Sequence, residues 1–184
     1  MSFKEIPLMK TSEGTVLFHP YISKNSLKNV KKVLSGRWIG QGPLVDKFEV
    51  KFKSMFAKKN HCLATGSGTD ALHLSYILAG LKKGDEVIAP LFTCTATNIP
   101  FLYMGVKIKF ADIEPSTMNI SVESVKRLIS KTTKAVICMH YGGLPCDLDE
   151  LKKLCNKFKI PLIEDAAHAL GATYNGKPIG SISD

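Results

Sequence analysis

Ile160-Pro161-Leu162-Ile163 reads as a buried strand, yet it runs directly into Glu164, Asp165 and, three positions on, His168. Burying carboxylates is costly unless a charged partner meets them. A second stretch with chemical potential is Ala64-Thr65-Gly66-Ser67-Gly68-Thr69-Asp70-Ala71, read as following a strand and opening a helix. Small residues there let the backbone approach a ligand, and the free amides of a first helical turn carry partial positive charge, which suits a phosphate. The alternative is a turn that simply needs glycine. Residues 66–71 also match G-x-G-x-x-A, the dinucleotide fingerprint. That fingerprint needs an acid at the end of the next strand, which here ends Val87-Ile88-Ala89-Pro90-Leu91. Asp85 and Glu86 stand at its start, so a dinucleotide-binding dehydrogenase is disfavoured.

The elements that must carry these residues follow from pattern. Residues 1–60 read as a helical segment: Ser23 is the expected cap of a helix with Leu27, Val30, Val33 and Leu34 on one face. After the loop Arg37–Pro43, a second helix places Leu44, Val45, Phe48, Phe52, Met55 and Phe56 at helical spacing, a stripe expected in the core. From residue 61 to 184, strand and helix patterns alternate. Strands are predicted at 61–64, 86–89, 106–111, 135–139 and 161–164, and helices at 69–79, 95–104, 122–129 and 148–158. Such alternation with buried-looking strands predicts an α/β fold with a largely parallel sheet. Asn175-Gly176 predicts a tight hairpin, after which the chain stops at Asp184, as a fragment of a larger domain would.

Composition narrows the classes. At 45% hydrophobic and 22% charged, the chain is globular. Its formal charge of +9 is scattered over lysine pairs such as Lys31-Lys32, Lys58-Lys59 and Lys82-Lys83. No basic run is interleaved with aromatics, which argues against nucleic acid as a partner. An anionic small molecule suits the charge equally well. The five cysteines form no CxxC pair and are odd in number, which favours reduced thiols. Met1–Lys10 lacks the apolar core of a signal peptide, and no stretch reaches the length of a membrane span. A soluble, cytoplasmic protein is expected, and no metal site is expected.

Taken together, the glycine-rich turn and Asp165 call for a ligand with a phosphate at one end and, at the other, a group that pairs with a buried carboxylate. Both are expected at carboxyl ends of parallel strands, where open α/β sheets bind ligands. Pyridoxal 5′-phosphate has both features. A carboxylate beside its ring nitrogen keeps that nitrogen protonated and makes the ring an electron sink. His168 lies within reach of the phenolic oxygen on this reading. The alternatives are a helix N-cap for Asp165 and an ordinary loop position for His168.

From about Ile39 onward the chain resembles the DegT/StrS family of pyridoxal-phosphate sugar aminotransferases. The resemblance rests on Arg37–Pro43, on Gly66-Ser67-Gly68-Thr69-Asp70-Ala71-Leu72, on Phe92–Asn98, on His140-Tyr141-Gly142-Gly143 and on Glu164–Ala169. It implies the aspartate-aminotransferase type I fold: a three-layer sandwich around a mixed, mostly parallel sheet, here an incomplete large domain. It further implies Gly68 and Thr69 at the phosphate, Asp165 on the pyridine nitrogen and His168 on the phenolic oxygen. Two departures stand out. Cys94 occupies the place where the family usually sets an aromatic ring over the cofactor, and the family's Schiff-base lysine falls just past Asp184, with no matching lysine in the chain. The implied activity is transfer of an amino group from an amino acid, glutamate foremost, to a nucleotide-linked keto sugar, in a homodimer. The chain alone is expected to be inactive. A same-family dehydratase, with histidine for that lysine, and a non-catalytic remnant or partner subunit are the competing expectations.

Overall fold

The computed structural model describes residues 22–57 and 61–183. The start of the chain, read above for a leader, and the Lys58-Lys59 pair lie outside the described residues. The chain divides into two compact units between Pro43 and Leu44.

In the first unit, helix α1 spans Ser26–Leu34. The expected cap is displaced: Asn25 holds the N-cap position without a side-chain bond, and the Ser23 hydroxyl instead pairs with that of Ser26 at 3.0 Å. Leu27, Val30 and Leu34 are exposed rather than packed.

The second unit carries most of helix α2 (Pro43–Phe56) and then the alternating elements α3 (Gly68–Leu78), β1 (Glu86–Pro90), α4 (Thr95–Met104), β2 (Lys107–Ala111), α5 (Val122–Leu128), β3 (Thr133–Met139), α6 (Leu148–Phe158) and β4 (Leu162–Asp165). A hairpin of β5 (Thr173–Tyr174) and β6 (Lys177–Pro178) closes it around Asn175 and Gly176, both at positive φ as a tight primed turn requires. The four longer strands form a parallel sheet in the order β2-β1-β3-β4.

Side chains alternate across this sheet, and each face has its own core. Val87, Ala89, Ala135, Ile137 and Ile163 meet Leu72 and Tyr76 of α3 and Phe101 of α4. Ile88, Val136, Cys138 and Leu162 meet Val125 of α5 and Leu148, Leu151 and Cys155 of α6. Three layers result, with both sheet faces covered. This explains the near-continuous apolar runs of the strands.

Two expectations fail here. Residues 61–64 are not a strand: no ladder pairs them among the described residues, and the Ala64 amide donates instead to Glu49 Oε1 at 2.8 Å. A β-prone run without a neighbouring strand to take its amides stays irregular. The aromatic stripe of α2 is not core either. None of its side chains is buried, and Leu44, Phe48 and Met55 are more than half exposed. Phe48, Phe52 and Phe56 instead meet one another along the helix as tilted rings, with centroids 5.7 and 4.9 Å apart.

Candidate functional site

In the order β2-β1-β3-β4 the chain steps from β1 to one side and then returns to the other, so a topological switch point lies between β1 and β3. Crevices at the carboxyl ends of strands beside such a point are where open α/β sheets bind ligands. The loops after β1 and β3 meet there, with Phe92 and Tyr141 ring centroids 5.1 Å apart. Asp165 ends β4 at the same carboxyl end of the sheet.

Glu164 and Asp165 diverge, as adjacent strand residues must. Glu164 turns to the α5/α6 side, where His140 Nε2 lies 3.0 Å from its Oε2. It also accepts from the amides of Gly180, Ile182 and Ser183 and from the Ser183 hydroxyl at 2.6 Å. Burial would raise its pKa, but the His140, Ser183 and Gly180 hydrogen bonds outweigh that and hold it down at about 2. His140 is fully buried. Burial opposes a charge on its ring, but the neighbouring Cys146 and Glu164 groups outweigh it and push its pKa up to about 9. A doubly protonated ring could not accept the Cys146 amide, so the geometry favours the neutral ring. The Cys146 amide, donating to Nδ1 at 3.0 Å, decides the tautomer. A nitrogen that accepts cannot also hold the proton, so the proton sits on Nε2 and is donated to Glu164. Asn119 completes this side, accepting from the Tyr141 amide at 2.8 Å and donating to the carbonyls of Leu144 and Pro145.

Asp165 turns to the α3/α4 side and is 5% exposed. The hydroxyl of Thr97 donates to Oδ2 at 2.7 Å, and the Ala167 amide donates to Oδ1 at 3.1 Å. No helix follows, so the capping alternative is not realised. No cation among the described residues pairs with this carboxylate. Its nearness and burial together raise the Tyr76 pKa, burial being the larger cause.

The other candidate residues stand on separate elements. Cys94, exposed, occupies the N-cap position of α4, and its carbonyl accepts from the Thr97 amide at 3.1 Å. His168 is exposed beside the Tyr141 ring, and its Nδ1 accepts from the Gly142 amide at 3.3 Å. Gly68 and Thr69 open α3, linked to the carboxylate through the helix itself: the Tyr76 hydroxyl donates to the Thr97 carbonyl at 2.8 Å. Sequence reading gave Thr93 and Thr97 no role of their own within Phe92–Asn98 and passed over Tyr76.

Two observations bear on whether pyridoxal phosphate suits these residues. The first is the carboxylate itself, buried and held by neutral donors alone, which leaves it able to pair with a protonated ring nitrogen. The second is the turn before α3. Ser67 caps the helix by accepting from the Asp70 amide at 3.1 Å, which leaves the amides of Gly68 and Thr69 as free first-turn donors. The residues present fit the cofactor. No group of His, Cys, Asp and Glu among the described residues could hold a metal ion, and none of the described helices is long and apolar enough to cross a membrane.

Comparison with known proteins shows the family. Residues 20–184 match the model of the DegT/DnrJ/EryC1/StrS aminotransferase family. The chain is similar to GDP-perosamine synthase of Vibrio cholerae, 38% identical over 169 residues, which are 91% of this chain and 46% of that protein. An uncharacterised protein of Methanocaldococcus jannaschii is 40% identical over 167 residues, 91% of this chain and 43% of its own length. Among solved structures, the PLP form of the putative sugar aminotransferase Spr1654 from Streptococcus pneumoniae superposes with a TM-score of 0.84 at 29% identity, covering 90% of this chain and 46% of that one. The fold is thus that of the type I pyridoxal-phosphate aminotransferases, and the chain spans under half the length of the curated relatives it matches.

Proposed function

Because the chain belongs to the DegT/DnrJ/EryC1/StrS aminotransferase family, we propose that it supplies the cofactor-binding part of a pyridoxal-phosphate-dependent enzyme. That enzyme moves an amino group from an amino acid, glutamate foremost, to a nucleotide-linked keto sugar. Similarity to a GDP-perosamine synthase supports a nucleotide sugar as acceptor. The observation that carries the reading is Asp165: a buried carboxylate, met by hydroxyl and amide donors and by no cation, at the carboxyl end of a parallel strand.

Bound pyridoxal phosphate supplies an electron sink for a carbanion at the substrate. This chain's residues hold and tune it. Asp165 keeps the ring nitrogen protonated. The Gly68 and Thr69 amides would hold the phosphate at the positive end of α3. His168 accepts the Gly142 amide at Nδ1, so its proton is on Nε2, the atom assigned to the phenolic oxygen. Cys94 would meet the ring face, where a thiol makes a softer contact than an aromatic ring. The functional unit is a cytoplasmic homodimer on this reading.

Asp165→Asn tests it at nearly constant volume. Glutamate-dependent amination of a nucleotide-linked keto sugar by the complete protein, followed by mass spectrometry, should fall by roughly two or more orders of magnitude, about 3 kcal/mol of barrier. The melting temperature should hardly move. Loss of water from the sugar without gain of nitrogen would instead identify a dehydratase, and unchanged amination by the variant would remove Asp165 from its role.

A further inference from the structure

Thr97 is buried completely, and its hydroxyl oxygen lies 2.7 Å from Asp165 Oδ2. A carboxylate accepts and does not donate, so the hydroxyl hydrogen of Thr97 is committed to Asp165. Thr93 Oγ1, in the loop just before α4, stands 2.6 Å from Thr97 Oγ1 and must then be the donor to it. The relay therefore runs in one direction, from Thr93 to Thr97 to Asp165, and each bond polarises the next. The backbone of this turn is pinned as well, since the Thr97 carbonyl accepts from the fully buried Tyr76 at 2.8 Å. On the other carboxylate oxygen, the Ala167 amide is the second fixed donor. Shape alone does not call for a hydroxyl at position 97, because valine has the same branching and would pack without a polar atom to satisfy.

We propose that Thr97, backed by Thr93, is a positioning residue for the proposed reaction: it locks the Asp165 carboxylate in the rotamer that faces a protonated ring nitrogen. The proposal rests on the reading of Asp165 given above. It says which neighbour makes that carboxylate a fixed rather than a rotating partner. With one donor on each oxygen, the carboxylate keeps lone pairs for a third and cannot turn without breaking both bonds.

The test titrates pyridoxamine 5′-phosphate, which needs no lysine, into the chain and follows its fluorescence. A parallel titration uses the analogue in which a C–H replaces the ring nitrogen. Thr97→Val should weaken binding of the nitrogen-bearing ligand roughly tenfold, and Thr97→Ser should restore it to within about twofold. The carbon analogue should bind wild type and Thr97→Val alike. Equal weakening of both ligands by valine, or failure of serine to rescue, overturns the positioning role. If wild type binds both ligands equally and Asp165→Asn changes neither, the reading of Asp165 fails and the proposal falls with it. Should Thr97→Val lose its far-ultraviolet circular dichroism, Thr93→Val at a half-buried position takes its place. A few-fold loss confined to the nitrogen-bearing ligand then supports the relay, and an equal loss for both ligands refutes it.

Discussion

Gly68 has backbone angles open to any residue, and no atom lies within 4 Å of the place where a Cβ would stand. Nothing in the chain itself requires glycine at this helix start, whereas a phosphate approaching the amides would. Gly68→Ala should therefore leave stability unchanged or raise it by about 0.5 kcal/mol, while weakening pyridoxamine phosphate binding severalfold. Equal affinity of the two proteins, measured by titration beside their melting curves, would return the turn to a purely structural role. Glu164 makes a different prediction one residue from the proposed site. Its pKa is depressed from 4.5 to about 2, so its contribution is complete above pH 4.5 and is lost as pH falls through about 2. With its side chain 1% exposed, that shift corresponds to about 3 kcal/mol of stability. Acid unfolding followed by circular dichroism should show a steep loss over this window in wild type and a flatter one in Glu164→Gln.

Among the elements, the short turn Tyr141–Gly143 after β3 is the one most tightly tied to the site. Gly142 and Gly143 both take positive φ, yet their surroundings differ. A Cβ on Gly142 would meet nothing within 4 Å, whereas one on Gly143 would stand 2.9 Å from the carbonyl oxygen of His168. Backbone cannot swing aside as a long side chain can. Gly142→Ala should cost about 1 kcal/mol of left-handed strain. Gly143→Ala should cost about 1–3 kcal/mol more and push the His168 loop away from β3. Chemical unfolding of both variants, with the His168 ring signals followed by NMR, checks this. Equal costs and an undisturbed ring would show that the two loops are not in contact.

For the whole molecule, the conspicuous feature is apolar surface left outside the two cores. Phe48 is 55% exposed and Leu44 57% exposed on α2, a helix with no buried residue. A face of this kind promotes association. Sedimentation velocity at rising concentration should show self-association that Phe48→Ser reduces, while its melting temperature moves by no more than about 2 °C, because little core packing is removed. A large thermal loss would mean that the phenylalanine supports the fold of the chain itself.

The alternating elements from β1 to β4 were legible because each is local: helix periods of apolar residues, short β-branched runs and glycines at the joins are written in neighbouring positions. The ends of α4 and α6 agree with the sequence reading to the residue. Asp165 and the Gly68 turn stood out as candidates because a carboxylate after an apolar strand and small residues before a helix are exceptions to such patterns. The partners of these residues were not legible. Thr97 is 68 positions from Asp165, and His140 is 24 from Glu164. Only the sheet order β2-β1-β3-β4 and the packing of α4 over it decide which side chains meet. The same holds for the overturned expectations at residues 61–64 and α2. A strand exists only where another strand takes its hydrogen bonds, and an apolar stripe becomes core only where a second surface covers it. Local sequence sets the tendency in both cases, and the presence of the neighbour is a property of the folded whole.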